Sequence, residues 1–539
     1  MTFRANLLAT SFTCLAGILA GCSPRETPVE AGIRTHTLLL GNAAEPGDLD
    51  PHLASILSDQ IIINALFEGL TVLDEQTTKP LPGVAASWDS SPDGLVWTFH
   101  LRPNLHWSNG EPLVADDFIQ SWRRALDPAF AADNAWYLFP LKNAEAYNAG
   151  RVVDPTSIGM VAPDDHTLVL TLEHPTPYLP ALVSLPAWFP LNAQSLRQLG
   201  AYDHRGVAWT RPGHMVGNGA YQLAEWTPDV RIVLDQNPYH RDAARAQIEH
   251  LVFLPIAKPD DEERNYRAGQ LHVTFNLPVT KIAPWRERDA APLRIDPLLQ
   301  TNFLRFNTTK KPFDDPRVRQ ALSLAINRDQ LAATVLQASR LPAHTLVPPH
   351  TGAYAAPDGV KLDLDQARQL LLAAGFARGV GLPTVELMVR NDEIMPRLAE
   401  AIQAIWRREL GVESSIAQVE QKTWIQNQQT LNYTVCLSAW TADFPDPVTF
   451  LDLFLSSSAY NWTGWKNPAY DQLLAQAAAN SHEAARYALL QKAEALLLAE
   501  APIAPLYFGA QTYLLNPAVK GWSPAPLGFR RFQLISLQP

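Results

Sequence analysis

Residues 437–451 read LSAWTADFPDPVTFL and set one carboxylate, Asp443, among Trp440, Phe444 and Phe450. Pro445 and Pro447 stop both helix and strand, so the stretch reads as a rigid loop leaving a strand over Thr434–Ala439. An ionised aspartate between apolar walls is costly unless a cation or several N–H donors meet it. A turn aspartate that caps its own backbone fits the same pattern. By itself the loop only nominates a site for something positively charged.

On both sides of the loop, strands alternate with helices. Thr384–Val389 and Val412–Val419 read as strands, and Leu398, Ile402 and Ile405 line a helix between them. A helix over Leu364–Ala374 is stopped by Gly375. Asp315 and Pro316 make an N-cap and first helical residue, followed by an apolar stripe of Val318, Ala321, Leu322, Ala325 and Ile326. Asn480 with Glu483 is expected to cap a helix reaching Glu500, after which PIAPLYF (502–508) reads as a strand. In the first half, strands are expected at Thr37–Leu40, Trp97–Leu101, Thr167–Leu172 and Arg231–Asp235. Between them, Phe118, Ile119, Trp122 and Leu126 fall at helical spacing within Ala115–Leu126. Gly217-Asn218-Gly219 marks a tight turn or close backbone approach. The pattern predicts an α/β chain with helix-flanked sheets.

A chain of 539 residues, 47% hydrophobic and 18% charged, can bury several cores and is expected to form more than one domain. A formal charge of −11 without a dense basic run argues against nucleic acid. Of three cysteines, Cys14 and Cys22 lie near the N-terminus; Cys436 alternates with Val435 and Leu437 as a packed strand residue does. There is no H-E-x-x-H, P-loop or C-x-x-C pattern, and Asp446, three residues after Asp443, is no acid/base pair without a scaffold to aim it. Neither enzymatic activity nor a cofactor or metal is expected.

The blocks that accompany the loop resemble the oligopeptide-binding lipoproteins, extracellular solute-binding proteins that serve ABC importers. They include Leu49-Asp50-Pro51, Phe67-Glu68-Gly69-Leu70, DGLVWTFHLRPNLHWSNGEPLVADDFIQSWRRALDP (93–128), NGAYQLAEW (218–226), FDDPRVRQALSLAINRDQL (313–331) and LSAWTADFPDPVTFL itself. Together they cover nearly all of the chain after residue 35. The resemblance implies a two-lobe, periplasmic-binding-protein-like (Venus flytrap) α/β fold with an extra subdomain inserted in the first lobe. Mapped onto this chain, lobe I takes 34–67, 196–299 and 511–539, the inserted subdomain 68–195, and lobe II 300–510.

It also implies a function: capture of peptides between the lobes and delivery to an ABC permease and its ATPase subunits, by a monomer. Asp443 would pair with the peptide α-ammonium, Trp440 would wall a side-chain pocket, and the backbone at Ala439 and Thr441 would bond the extended peptide. Ser55, Leu57, Asn218 and Gly219 would face the ligand from the other lobe, although each also suits ordinary turn or helix-entry structure. Basic residues that receive the ligand carboxylate in some relatives are replaced here by Leu437 and Met395, and at a less secure position by Gln428. Phe303 and Arg305, in NFLRFN, would also line the ligand pocket, with Arg305 the alternative receiver. Residues 1–21 resemble a signal peptide and Leu19-Ala20-Gly21-Cys22 a lipobox, with Cys22 lipidated and 22–33 a tether that leaves the body exported but membrane-held. The competing expectation keeps the fold and changes the ligand to a cell-wall peptide derivative, opine, sugar or metal chelate, or makes the protein a surface sensor.

Overall fold

Two long strands, Leu293–Phe306 and Ile503–Leu514, run antiparallel through the molecule from the pair Leu293 and Leu514 to the pair Arg305 and Ile503. The computed structural model describes residues 26–54 and 56–539; the expected signal segment, Cys14, Cys22 and Ser55 lie outside the described residues. At one end the long pair joins a six-stranded sheet. Its order is Leu341–Pro342, Ile503–Leu514, Leu293–Phe306, Val435–Thr441, Val385–Arg390 and Ser414–Val419. The last three strands are mutually parallel, and the helices Met395–Leu410 and Gln421–Gln429 are the crossovers that parallel pairing requires. Met395, Leu398, Ile402, Ile405 and Trp406 form the buried stripe of the first crossover, and Gly411, at φ 69°, ends it.

Beyond the other end of the long strands stands a mixed four-stranded sheet of Thr37–Gly41, His250–Leu254, Arg231–Gln236 and Tyr221–Thr227. Val273 links the two systems by bridging both Leu40 and Leu515. A third, antiparallel sheet is built from Ala85–Ser90, Val96–Leu101, Thr167–Thr171 and Met160–Asp164. The helix Ala115–Leu126 forms where its spacing predicts; Phe118, Ile119, Trp122 and Leu126 are buried, and Trp122 meets Trp188 edge-on with ring centroids 5.0 Å apart. That apolar core does not end within the 68–195 segment. It is continuous with Phe444, Phe450, Leu451 and Leu497, so the third sheet braces the loop that follows Val435–Thr441.

Two local expectations give way. Pro28–Arg34, placed in the tether, is helical because Thr27 and Glu30 form a capping box, and Val29 is buried with its N–H on the Gly269 carbonyl. Asn480 does not cap with Glu483. Its side chain accepts from the His482 N–H, and the helix Glu483–Glu500 starts without a side-chain cap.

Buried ion pairs hold separate segments together. Arg124, on the Ala115–Leu126 helix, meets Asp50 at 2.7 Å and His52 at 3.0 Å, with both charged side chains almost fully enclosed. Replacing Arg124 by Met leaves the Asp50 carboxylate unpaired, so equilibrium unfolding of that variant is expected to lose about 3–5 kcal/mol. A loss under about 1 kcal/mol would show that the pair does not join these segments.

Candidate functional site

The strand Val435–Thr441 carries the loop to its place. It pairs with the central long strand as far as Thr441 opposite Gln300, and the Ala442 N–H then reaches the Leu299 carbonyl at 2.7 Å. Its other edge is covered by Val385–Arg390 only at Val435 and Cys436. From Ala439 to Thr441 that edge has no strand partner among the described residues, which leaves main-chain groups free for an added strand. Arg486 locks the loop from behind with two bonds of 2.6 and 2.7 Å to the Asp446 carboxylate. Phe444 stacks on Tyr178 at 5.0 Å with the rings nearly parallel. Asp446 is therefore a structural anchor.

Asp443 is treated differently. One carboxylate oxygen accepts from the Tyr137 hydroxyl at 2.8 Å, the other from Thr449 Oγ1 at 3.2 Å. No cation pairs with it among the described residues. Burial raises its pKa, against those two hydrogen bonds, which favour the charged form. Asp50, Glu68, Asp296 and Asp446 each hold an arginine. Glu262 and Glu494 lack one, but both receive pairs of backbone N–H donors in the interior. Asp443 alone of this set combines half-burial with neither compensation. A hydrogen-bond donor carrying full positive charge would complete it.

An aromatic wall extends from this carboxylate. Tyr137 stacks on Trp136 at 3.7 Å, and Trp136 remains 39% exposed. Trp440 meets Tyr460 edge-on at 5.5 Å, Tyr460 meets Trp462 at 5.9 Å, and the buried Trp440 Nε1 has no acceptor among the described residues. Phe303 is wholly buried against Phe454, so it serves as floor. Thr441 is exposed and accepts from Gln300 Nε2 at 2.8 Å. Cys436 is enclosed, and burial pushes its thiol up to about 12, consistent with an unreactive packing residue.

Residues expected on the facing side have other tasks. The Asn218 side chain closes two hydrogen bonds onto the Glu68 backbone, at 3.0 and 2.9 Å. Gly219 gives its N–H to the Leu66 carbonyl, and a Cβ there would lie 2.4 Å from the Ala65 oxygen. Both fasten the Gly217–Gly219 turn to the end of the helix Leu57–Leu66, while Leu57 itself is half-buried against Gly528. Leu437, Met395 and Gln428 are interior residues; Gln428 bonds Ser438 and the Trp424 carbonyl.

Sequence reasoning missed Tyr137, Thr449, Tyr460 and Trp462. It also missed Asp452, which lies near the charges of Asp446 and Arg486. Burial pushes its pKa up to about 7, with the nearby Asp446 charge adding to the rise. A separate cavity lined by Phe67, Glu68, Phe189, His240 and Arg531 shares no residue with the loop, and Glu68 and Arg531 are already paired. Among the described residues no acid, histidine or cysteine cluster could hold a metal ion, and no helix is long and apolar enough to cross a membrane.

A family model described as bacterial extracellular solute-binding proteins, family 5 Middle, matches residues 79–462. The chain is 34% identical over 538 residues to the periplasmic oligopeptide-binding protein OppA of Salmonella typhimurium, covering 96% of each chain. Among solved structures it is similar to the periplasmic murein tripeptide-binding protein MppA in its unliganded open form. That match has a TM-score of 0.82 and 32% identity, over 93% of this chain and 97% of that one. It is also similar to OppA of Haemophilus influenzae in complex with the peptide RPPGFSPFR, with a TM-score of 0.76 and 30% identity over 93% and 99% of the two chains.

Because the folded state raises the Asp443 pKa, ionisation of this group costs stability at neutral pH and costs nothing below the ordinary carboxylate range. Asp443→Asn keeps an acceptor for Tyr137 and removes the charge. The ligand-free variant is therefore expected to melt at least as high as the parent at pH 7, with the difference shrinking towards pH 4. A clear drop in melting temperature at pH 7 would mean that the charge is structural.

Proposed function

The chain belongs to the bacterial extracellular solute-binding proteins of family 5, and from this footing we propose that it captures peptides by their free amino terminus, with Asp443 as the receiver. It is the substrate-binding component of an ABC importer, and its family consists of transport binding proteins rather than enzymes. The observation that carries the ligand reading is the half-buried Asp443 carboxylate, held by two hydroxyls and no cation. A primary ammonium offers three donors and a positive charge at once. The Ala439–Thr441 edge supplies main-chain partners that do not depend on the peptide's sequence, while Trp440, Tyr460 and Trp462 give its side chains an apolar surface.

In this reading residues 34–67, 196–299 and 511–539 form one lobe and 300–510 the other, with 68–195 as the inserted subdomain. The long strands Leu293–Phe306 and Ile503–Leu514 are the hinge. Ligand favours the closed arrangement because only that arrangement touches it from both sides, and the permease reads the difference. Cys22 carries the lipid that holds the exported body at the membrane. Its support is the small-residue run Leu19-Ala20-Gly21 before it.

The charge pair fixes a pH profile. Peptide affinity falls as acid protonates Asp443, beginning above the ordinary carboxylate value because the free-state pKa is raised. It falls again above roughly pH 8 as the peptide amine loses its proton. Titration calorimetry with a free-amine peptide is expected to show this bell. Acetylating the peptide, or making Asp443→Asn, is expected to weaken binding by about 100-fold, the equivalent of roughly 3 kcal/mol. Equal affinity for free and acetylated peptides would reject the reading. For the anchor, Cys22→Ser is expected to move the protein from the membrane fraction to the soluble one; an unchanged distribution would remove Cys22 from the account.

A further inference from the structure

Arg305 is an arginine that the fold buries and does not satisfy. It is 2% exposed, and neither Nε nor Nη1 has a hydrogen-bond partner among the described residues. Other buried arginines show what satisfaction looks like. Arg124, Arg486 and Arg530 hold carboxylates. Arg319 and Arg328 do not, and each donates to three main-chain carbonyls instead: Arg319 to Phe313, Glu500 and Ala501, Arg328 to Ser323, Ile326 and Pro505. Arg305 has only ring faces, with its guanidinium carbon 5.0 Å from the Trp462 centroid and 5.5 Å from that of Phe303. Ring contacts of this kind return about 0.5–2 kcal/mol, less than the cost of burying an unpaired guanidinium.

Its position ties it to the site. Arg305 pairs with Cys436 and Thr301 with Trp440 on adjacent strands, and alternate residues share a face. Arg305 and Trp440 therefore project from the same face of the sheet, four strand residues or about 13 Å apart. The row Trp440, Tyr460, Trp462 joins them, and the unpartnered Trp440 Nε1 lies at its Asp443 end.

We propose that Arg305 is the carboxylate receiver of this cleft, so that the preferred ligands are peptides with an acidic group beyond the first residue. The inference rests on the peptide reading above. Asp443 and Arg305 then form two poles of opposite charge along one apolar wall, and the guanidinium fork matches a carboxylate in bidentate geometry. The distance suits an acidic side chain at the second or third position, or the terminal carboxylate of a short peptide.

The test is calorimetry on the intact exported protein with tripeptides that carry Asp or Asn at position two, Glu or Gln at position three, and a free or amidated C-terminus. At one of these places the acid is expected to bind roughly tenfold or more tightly than its amide. The place that responds identifies side chain or terminus as the source. Arg305→Met is expected to abolish the preference while leaving dependence on the free amine intact, Arg305→Lys to keep part of it, and ligand-free Arg305→Met to melt no lower than the parent. Equal affinity for acid and amide throughout, a preference that survives Arg305→Met, or a marked fall in the melting temperature of that variant would overturn the assignment. If free-amine peptides bind without an acid preference, this inference alone fails; if none binds, the peptide reading fails with it.

Discussion

A carboxylate enclosed without a counter-charge is the constraint on which the site turns. Proteins normally pair such a group or surround it with N–H donors, because an unpaired buried charge is costly. This chain follows that rule at Asp50, Glu68, Asp296, Asp446, Glu262 and Glu494. It departs from it at Asp59, Asp452 and Asp443, and at Asp443 the departure lies beside an open strand edge and a row of aromatic rings. Tyr137 and Thr449 hold the carboxylate in one orientation with hydroxyl bonds that a charged donor can exceed in strength. The charged form of Asp443 is thus disfavoured by its surroundings, and a cationic donor would favour it.

The scaffold exists to hold that geometry. The loop's direction is set by the strand register against Leu293–Phe306, by Pro445 and Pro447, and by the fully enclosed Asp446–Arg486 pair behind it. Residues near 137 and near 443 are far apart in sequence but belong to one apolar cluster, so the Tyr137 bond is a consequence of core packing. The long paired strands connect this half of the molecule to the four-stranded sheet through Val273.

Much of this was legible in the sequence, and the remainder was not for physical reasons. Periodicity located the Ala115–Leu126 helix and the Asp315-capped helix, because their apolar stripes are local. The strand before the loop runs two residues further than its composition suggests, since Trp440 and Thr441 are recruited by pairing with Thr301 and Gln300. Asp443 stood out because its neighbours in sequence are also its neighbours in space. Tyr137 did not, being 306 residues away. Asn218 and Gly219 resemble binding residues in sequence, and the fold shows the Asn218 side chain bonded to the Glu68 backbone and the Gly219 N–H to the Leu66 carbonyl. Arg305 was visible as an oddity, and that its Nε and Nη1 find no hydrogen-bond partner among the described residues is visible only once its surroundings are assembled.

The most direct test of the central claim is the ionisation of Asp443 itself, followed by carboxyl 13C NMR with and without a saturating free-amine peptide and identified by the signal that Asp443→Asn removes. A pKa above the ordinary aspartate value is expected in the free protein, with a fall below it when peptide binds, as the ammonium stabilises the charged form. A pKa unchanged by peptide, or one that rises on binding, would contradict it.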